Sequence, residues 1–280
     1  MPSLAVIGHP VAHSRSPDMQ TAALAELKLA GEWTYGALDV APEDFEATMA
    51  ELSVAGEYAG VNITVPHKEA ALAMADEASA GARAIGAANT LSFRDGQIVA
   101  DNTDAGGLLR SLPAGIGGGR ALVLGAGGAA RAAIWALGQG GEGAPDDEGA
   151  PTTVPAFRVD VWNRTAARGE AVAAELGAQT ITDPDPTAYA LIVNTTAVGL
   201  AGEDTFEALP LTPDSFAAEQ TVLDMVYTEE PSALLAAAEG AGATVVDGLE
   251  MLVQQGALSL RIWTGEEPSI EAMRTAVRRA

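Results

Sequence analysis

The sequence predicts an α/β protein of two domains, each a mostly parallel sheet with helices on its faces. Three observations carry that expectation. Short apolar runs alternate with helix-length patterns, which is the order of parallel βα units. The alternation breaks near residue 104 and then restarts. The restart opens on a glycine-rich turn between a buried strand and a helix, as in Rossmann-like nucleotide-binding folds. With 280 residues, 48% hydrophobic and 19% charged, the chain has enough apolar material for two cores.

The first series reads Leu4–Gly8, Thr34–Val40 and Gly60–Val65 as strands, each followed by a helix: Asp18–Leu29, Pro42–Val54 and His67–Asp76. Two further strand-like runs flank Asp95-Gly96, a strong hairpin signal, and the unit closes near Asp104. The second series takes its strands from Ala121–Leu124, Arg158–Trp162, Leu191–Asn194 and Thr221–Met225. Its helices are Arg131–Leu137, Arg168–Leu176 and Ala233–Ala241. Gly138 to Pro155 has no apolar period and reads as a mobile surface loop. A final helix, Leu249 to Thr264, is apolar on two sides, and the pattern leaves open which domain it packs against.

Composition narrows the partners. Fifteen Lys and Arg against 38 Asp and Glu give a formal charge of -23, which repels nucleic acid and anionic lipid alike. There is no cysteine, so disulfides, thiolate nucleophiles and cysteine-based metal sites are excluded. Three histidines do not make a rich metal cluster. The opening residues carry no basic region ahead of an apolar core and read as a first strand rather than a signal peptide. Ala121–Gly138, interrupted by Arg131 and glycines, falls short of a membrane span. A cytoplasmic protein with a small-molecule substrate is expected, as a monomer or homodimer, without metal, nucleic acid or membrane.

Several residues stand out chemically. Gly125, Gly127, Gly128 and Ala129 form a turn that lets backbone N–H groups approach a pyrophosphate, though a crowded sheet uses such turns too. The next strand ends in Asn163-Arg164-Thr165, with Arg168 one turn on; cations at that place suit a 2′-phosphate and hence NADP. Asp160 is internal to that strand and is not read as a ribose ligand. Lys68 is one of only two lysines, and Pro66 as a first helical residue puts it in a first turn, against the helix dipole. Asp104, just before a helical run, reads strongly as an N-cap, with a carboxylate partner for Lys68 as the functional alternative. Ser16 reads as an N-cap before Pro17, whereas Ser14 has no such structural role. Two hydroxyls at a helix start suit a carboxylate. Gln255 interrupts an apolar stripe and needs a partner from protein or ligand. Tyr227 closes the strand that starts at Val222, where ligands of open sheets sit.

Together these residues resemble the shikimate dehydrogenases. The resemblance runs in order through Gly8-His-Pro10, His13-Ser-Arg-Ser-Pro17, Asn62-Ile-Thr-Val-Pro-His-Lys68, Gly86-Ala-Ala-Asn-Thr90 and Asp101-Asn-Thr-Asp104. It continues through Gly125-Ala-Gly-Gly128, Asn163-Arg-Thr165, Asn194-Thr-Thr196 with Gly199, Tyr227 and Asp247-Gly-Leu-Glu-Met-Leu252 as far as Gln255. It implies reversible reduction of 3-dehydroshikimate to shikimate with NADPH, in aromatic amino acid and chorismate biosynthesis. It implies that Ser14, Ser16 and Tyr227 hold the substrate carboxylate. Asn62, Thr64, Asn89, Asp104 and Gln255 would meet ring hydroxyls, with Lys68 and Asp104 the catalytic pair. Gly125, Gly127, Gly128, Ala129, Thr195 and Gly248 would lie along the cofactor, with Asn163, Arg164, Thr165 and Arg168 around the adenosine phosphate. It further implies a substrate domain at 1–104, an NADP-binding domain at 105–246, and a segment 247–280 that returns to the substrate domain. The family often has His-Asn where this chain has Gln20-Thr21. Ser16 and Asn163 argue against relatives that use quinate and NAD. A non-catalytic NADP(H)-binding regulator would be expected to lose Lys68 or Asp104, and both are present.

Overall fold

The computed structural model describes residues 2–143, 152–200, 202–228 and 230–279. These form two compact units, Met1–Gly107 with Leu252–Ala280, and Leu108–Met251.

In the first unit β1 (Ser3–Gly8) is buried from Leu4 to Ile7, as a central strand covered on both faces must be. The helix α1 (Ser16–Glu26) returns to β2 (Thr34–Asp39), and α2 (Phe45–Ala55) returns to β3 (Tyr58–Ile63). Phe45 and Met49, one helical turn apart, put α2 into the core against Ile7, Val61 and Ile63. The short α3 (Lys68–Ala73), β4 (Glu77–Ala78) and α4 (Ala80–Ile85) precede the hairpin β5 (Thr90–Arg94) and β6 (Gln97–Asp101). That hairpin turns on Asp95 and Gly96, both at positive φ, which is the type I′ turn expected of the pair. The sheet order is β2-β1-β3-β5-β6-β4. Strands β2, β1 and β3 are parallel, and β5 is antiparallel to both its neighbours. Helix α5 (Asp104–Ser111) then leads out of the unit.

The second unit starts with β7 (Gly119–Leu124) and α6 (Gly128–Gln139). The presumed loop is not wholly loop: β8 (Gly141–Glu142) pairs antiparallel with β9 (Thr153–Val154), because the chain leaves and re-enters at one point. Positions 144–151 lie outside the described residues. There follow β10 (Phe157–Trp162), α7 (Ala166–Leu176), β11 (Gln179–Thr180), β12 (Leu191–Asn194), α8 (Thr205–Ala208), β13 (Thr221–Asp224), α9 (Ala233–Gly240) and β14 (Thr244–Val246). The order β11-β10-β7-β12-β13-β14 is fully parallel. Counted within the unit this is the doubly wound 3-2-1-4-5-6 arrangement, whose winding reverses between β7 and β12. Tyr227 lies three residues beyond β13 rather than at its end, since pairing stops at Asp224.

The chain then enters α10 (Gly248–Thr264), most of which belongs to the first unit, and ends in α11 (Ile270–Arg279), which packs along α1. The close approach of α10 is written in glycines. A Cβ on Gly60 would lie 2.2 Å from Trp263 Nε1, and one on Gly107 2.6 Å from Gln255 Cβ. The Trp263 indole donates to the Leu91 carbonyl at 3.2 Å, fastening the helix to the sheet.

Candidate active site

The polar centre of the first unit is assembled from helix starts and strand ends. Lys68 is the first residue of α3, and its Nζ lies 2.6 Å from Asp104 Oδ2, with side-chain exposures of 13% and 4%. Here is the compensation that a cation in a first helical turn requires. Pro66 is not the first helical residue as expected. It sits in the turn before α3, after a cis peptide bond, and His67 takes the N-cap position. The His67 ring is buried, stacked on Phe45 at 4.3 Å, and its Nε2 donates to the Val40 carbonyl at 2.7 Å.

Asp104 is spared from capping. Asn102 Oδ1 accepts from the Ala105 amide at 3.3 Å, so the carboxylate of Asp104 is left for Lys68 and for Asn89 Nδ2 at 2.9 Å. Asn89 Nδ2 also reaches Thr103 Oγ1 and Gln255 Oε1, at 2.9 and 3.1 Å. Gln255 therefore finds its partners within the protein, its Nε2 donating to the Leu252 carbonyl at 2.8 Å. Asn62 accepts from Tyr35 Oη at 2.7 Å, and its amide donates to the Asn89 carbonyl and Thr90 Oγ1. Thr64, half-buried just beyond β3, is held by its backbone to Ile7 at 2.8 Å. The serines exchange expected roles: α1 begins at Ser16 itself, and it is Ser14 Oγ that accepts from the Ser16 amide, at 3.3 Å. Gln20 is buried one turn on, donating to the Gly256 carbonyl at 2.9 Å and so tying α1 to α10.

In the second unit the glycine turn lies at the winding reversal. Gly125 has φ +121°, and a Cβ there would stand 2.5 Å from Thr195 Oγ1, which itself donates to the Leu124 carbonyl at 2.7 Å. Gly127 caps α6 in an extended conformation, and a Cβ there would meet nothing within 4 Å. Open space before the unsatisfied N–H groups of Gly128 and Ala129 fits a pyrophosphate. At the neighbouring strand end Asn163 Nδ2 donates to the Thr165 carbonyl at 2.8 Å, which shapes the loop. Arg164 and Arg168 are exposed and make no ion pair among the described residues. Asp160 is buried instead, held by Arg120 at 2.5 Å and by Tyr189 Oη at 2.9 Å, which keeps it from any ribose. Burial, then the Asp160 carboxylate, push the Tyr189 phenol up to about 12. Gly248 is packed against the Met225 carbonyl, where a Cβ would stand at 2.5 Å. Tyr227 is half-buried in the segment after β13. That segment is anchored by buried Asp224, which accepts from Asn194, the Val226 amide and Ser232.

Three contributors were not singled out from the sequence: Tyr35, Thr90 and Thr103. Thr90 and Tyr35 read as ordinary sheet residues and Thr103 as a residue of the turn before a helix, and only their hydrogen bonds distinguish them.

A doubly wound sheet with an open glycine turn at its switch point, beside surface arginines, suits a dinucleotide, and the other unit holds a lysine–carboxylate pair suited to proton transfer. The relatives agree. Residues 6–91 match the shikimate dehydrogenase substrate binding domain, and residues 248–278 the shikimate 5′-dehydrogenase C-terminal domain. The chain is 43% identical over 283 residues to the shikimate dehydrogenase (NADP(+)) of Methylobacterium radiotolerans, spanning 96% of this chain and 93% of that one. It is 42% identical to the enzyme of the same name from Thermus thermophilus, over 99% of this chain and 97% of the relative. A crystal structure of Thermus thermophilus shikimate 5-dehydrogenase, in complex with NADP(H) and shikimate, superposes with a TM-score of 0.82. It is 40% identical and covers 100% of this chain and 99% of that one. The chain belongs to the shikimate dehydrogenase family.

Proposed function

We propose that Lys68 and Asp104 are the proton-transferring pair of a reversible, NADPH-dependent reduction of 3-dehydroshikimate to shikimate. The observation that carries this reading is their 2.6 Å contact, inside a cluster of Asn62, Asn89 and Gln255 amides. NADPH supplies the hydride that reaches the ketone carbon. Lys68 stabilises the alkoxide that develops on the substrate oxygen and protonates it, with Asp104 holding the ammonium in place. In the oxidising direction the same two groups take the proton from the hydroxyl.

The remaining residues divide by chemistry. Asn62, Thr64, Asn89 and Gln255 present amides and a hydroxyl to the ring hydroxyls, while Ser14, Ser16 and Tyr227 hold the carboxylate. Gly125, Gly127, Gly128 and Ala129 line the pyrophosphate, with Thr195 and Gly248 keeping the backbone close. Arg164 and Arg168, with Asn163 and Thr165, receive the 2′-phosphate. This makes residues 1–104 with 247–280 the substrate domain and 105–246 the cofactor domain. The reading is tested by initial rates with shikimate and NADP⁺. Lys68→Ala is expected to lower kcat by about 10²–10⁴-fold while leaving the KM for NADP⁺ nearly unchanged. A Lys68→Ala enzyme with wild-type kcat would remove the lysine from the mechanism. Offering quinate and NAD⁺ alongside tests the assignment of Arg164 and Ser16, since faster turnover of that pair contradicts it.

A further inference from the structure

The polar cluster of the first unit has a direction, and two backbone groups set it. The Asn89 carbonyl can only accept, and it lies 3.2 Å from Asn62 Nδ2. The Thr103 amide can only donate, and it lies 2.7 Å from Asn89 Oδ1. Both side-chain amides are thereby fixed, each with its NH₂ on a known side.

Thr90 stands between them, fully buried, with Oγ1 at 3.3 Å from Asn62 Nδ2 and 3.1 Å from Asn89 Oδ1. It accepts from the first, and the nearer acceptor for its single proton is the second, Thr103 Oγ1 standing at 3.3 Å. The polarity then runs one way through the cluster. Tyr35 Oη donates to Asn62 Oδ1, Asn62 to Thr90, Thr90 to Asn89, and Asn89 to Asp104 Oδ1, whose other oxygen holds Lys68. Thr103 Oγ1 braces the same turn, within hydrogen-bond distance of both Asn89 and Thr90.

We infer that Thr90 is a positioning residue for substrate recognition: its one hydroxyl couples the orientations of the Asn62 and Asn89 amides. Tyr35 acts in the same sense from the far end. The inference rests on the proposal that these two asparagines bind the ring hydroxyls. Without the Thr90 hydroxyl, a buried Asn62 N–H loses an acceptor and Asn89 Oδ1 loses one of its donors, so each amide keeps its backbone contact but is no longer tied to the other through Thr90.

The test compares Thr90→Val, which removes the hydroxyl, with Thr90→Ser, which keeps it, and with Asn89→Ala as a control on the site itself. Initial rates give KM for shikimate and for NADP⁺ separately. Thr90→Val is expected to raise the shikimate KM about tenfold with the NADP⁺ KM within about twofold, and Thr90→Ser to restore most of the loss. A loss of packing alone would not be mended by serine, which is the smaller residue. An unchanged shikimate KM in Thr90→Val, beside a raised one in Asn89→Ala, overturns the inference. An unchanged KM in Asn89→Ala as well overturns it through its premise, that this cluster is the substrate site. Should Thr90→Val fail to fold, Tyr35→Phe is measured instead. It strips the 2.7 Å donor from Asn62, and an unaltered shikimate KM there is equally fatal.

Discussion

Asp104 is the first residue of α5 rather than the one before it, and Asn102 Oδ1 takes the Ala105 amide, so the carboxylate is free for Lys68 and Asn89. The division of labour between neighbours recurs at Ser14, which takes the backbone contact and leaves the Ser16 hydroxyl with no bond to its own helix start. At Asn163-Arg164-Thr165 the asparagine shapes the loop and the arginine is left exposed. An exposed guanidinium without an acidic partner, on a chain of charge -23, is suited to receive an anion in an otherwise repelling field. Arg164→Ala is therefore expected to raise the KM for NADP⁺ by about tenfold or more while leaving that for NAD⁺ almost unaltered. Kinetics with both cofactors check this, and equal losses on the two would show that Arg164 does not read the phosphate.

At the scale of elements, the glycine turn is a tight junction of the second unit. Gly125→Ala meets two obstacles at once, a φ of +121° and the Thr195 hydroxyl at 2.5 Å. It is expected to lower the melting temperature and to weaken NADP⁺ binding, both measurable by calorimetry; a variant with native values for both would mean that the turn relaxes freely. Such a junction was legible beforehand because a buried apolar strand, a glycine cluster and a helix each announce themselves locally. So did β1, β10, β12 and the Asp95-Gly96 hairpin. The short strands β4, β11 and β14 did not, since two or three residues hold too little pattern and their pairing is decided by neighbours far along the chain. The helix α11 was missed although Ser269 caps it and Met273 and Val277 face inward. In the site, Lys68, Asp104 and Gln255 stood out from their own sequence surroundings and Asn89 through a resemblance to known relatives, while Tyr35 did not and Thr90 only closed a resembling motif, with no role of its own. A hydroxyl inside a sheet is distinguished by what it bonds, and that is not written along the strand.

Over the whole molecule the acid–base balance has one internal weak point. Burial pushes the Asp224 carboxyl up, only partly countered by hydrogen bonds from Ser232, Val226 and Asn194. The folded protein then holds this proton more tightly than the unfolded chain. Stability falls as pH rises from the ordinary value of 3.8 through the raised one, because ionising Asp224 is harder in the folded state. Asp224→Asn is expected to flatten that part of a melting-temperature profile against pH. Identical slopes in variant and wild type would assign the effect to other groups.

The division of the chain into Met1–Gly107 with Leu252–Ala280 on one hand, and the uninterrupted Leu108–Met251 on the other, also orders events on the ribosome. The first segment to emerge lacks α10 and α11, so Gln255, Trp263 and the α1 partner helix are still unmade while it waits. The unit encoded second is complete first. During synthesis the glycine turn can thus meet dinucleotide before Asn89 has met Gln255, and a message cut short after residue 251 yields a cofactor module beside a half-built, aggregation-prone neighbour.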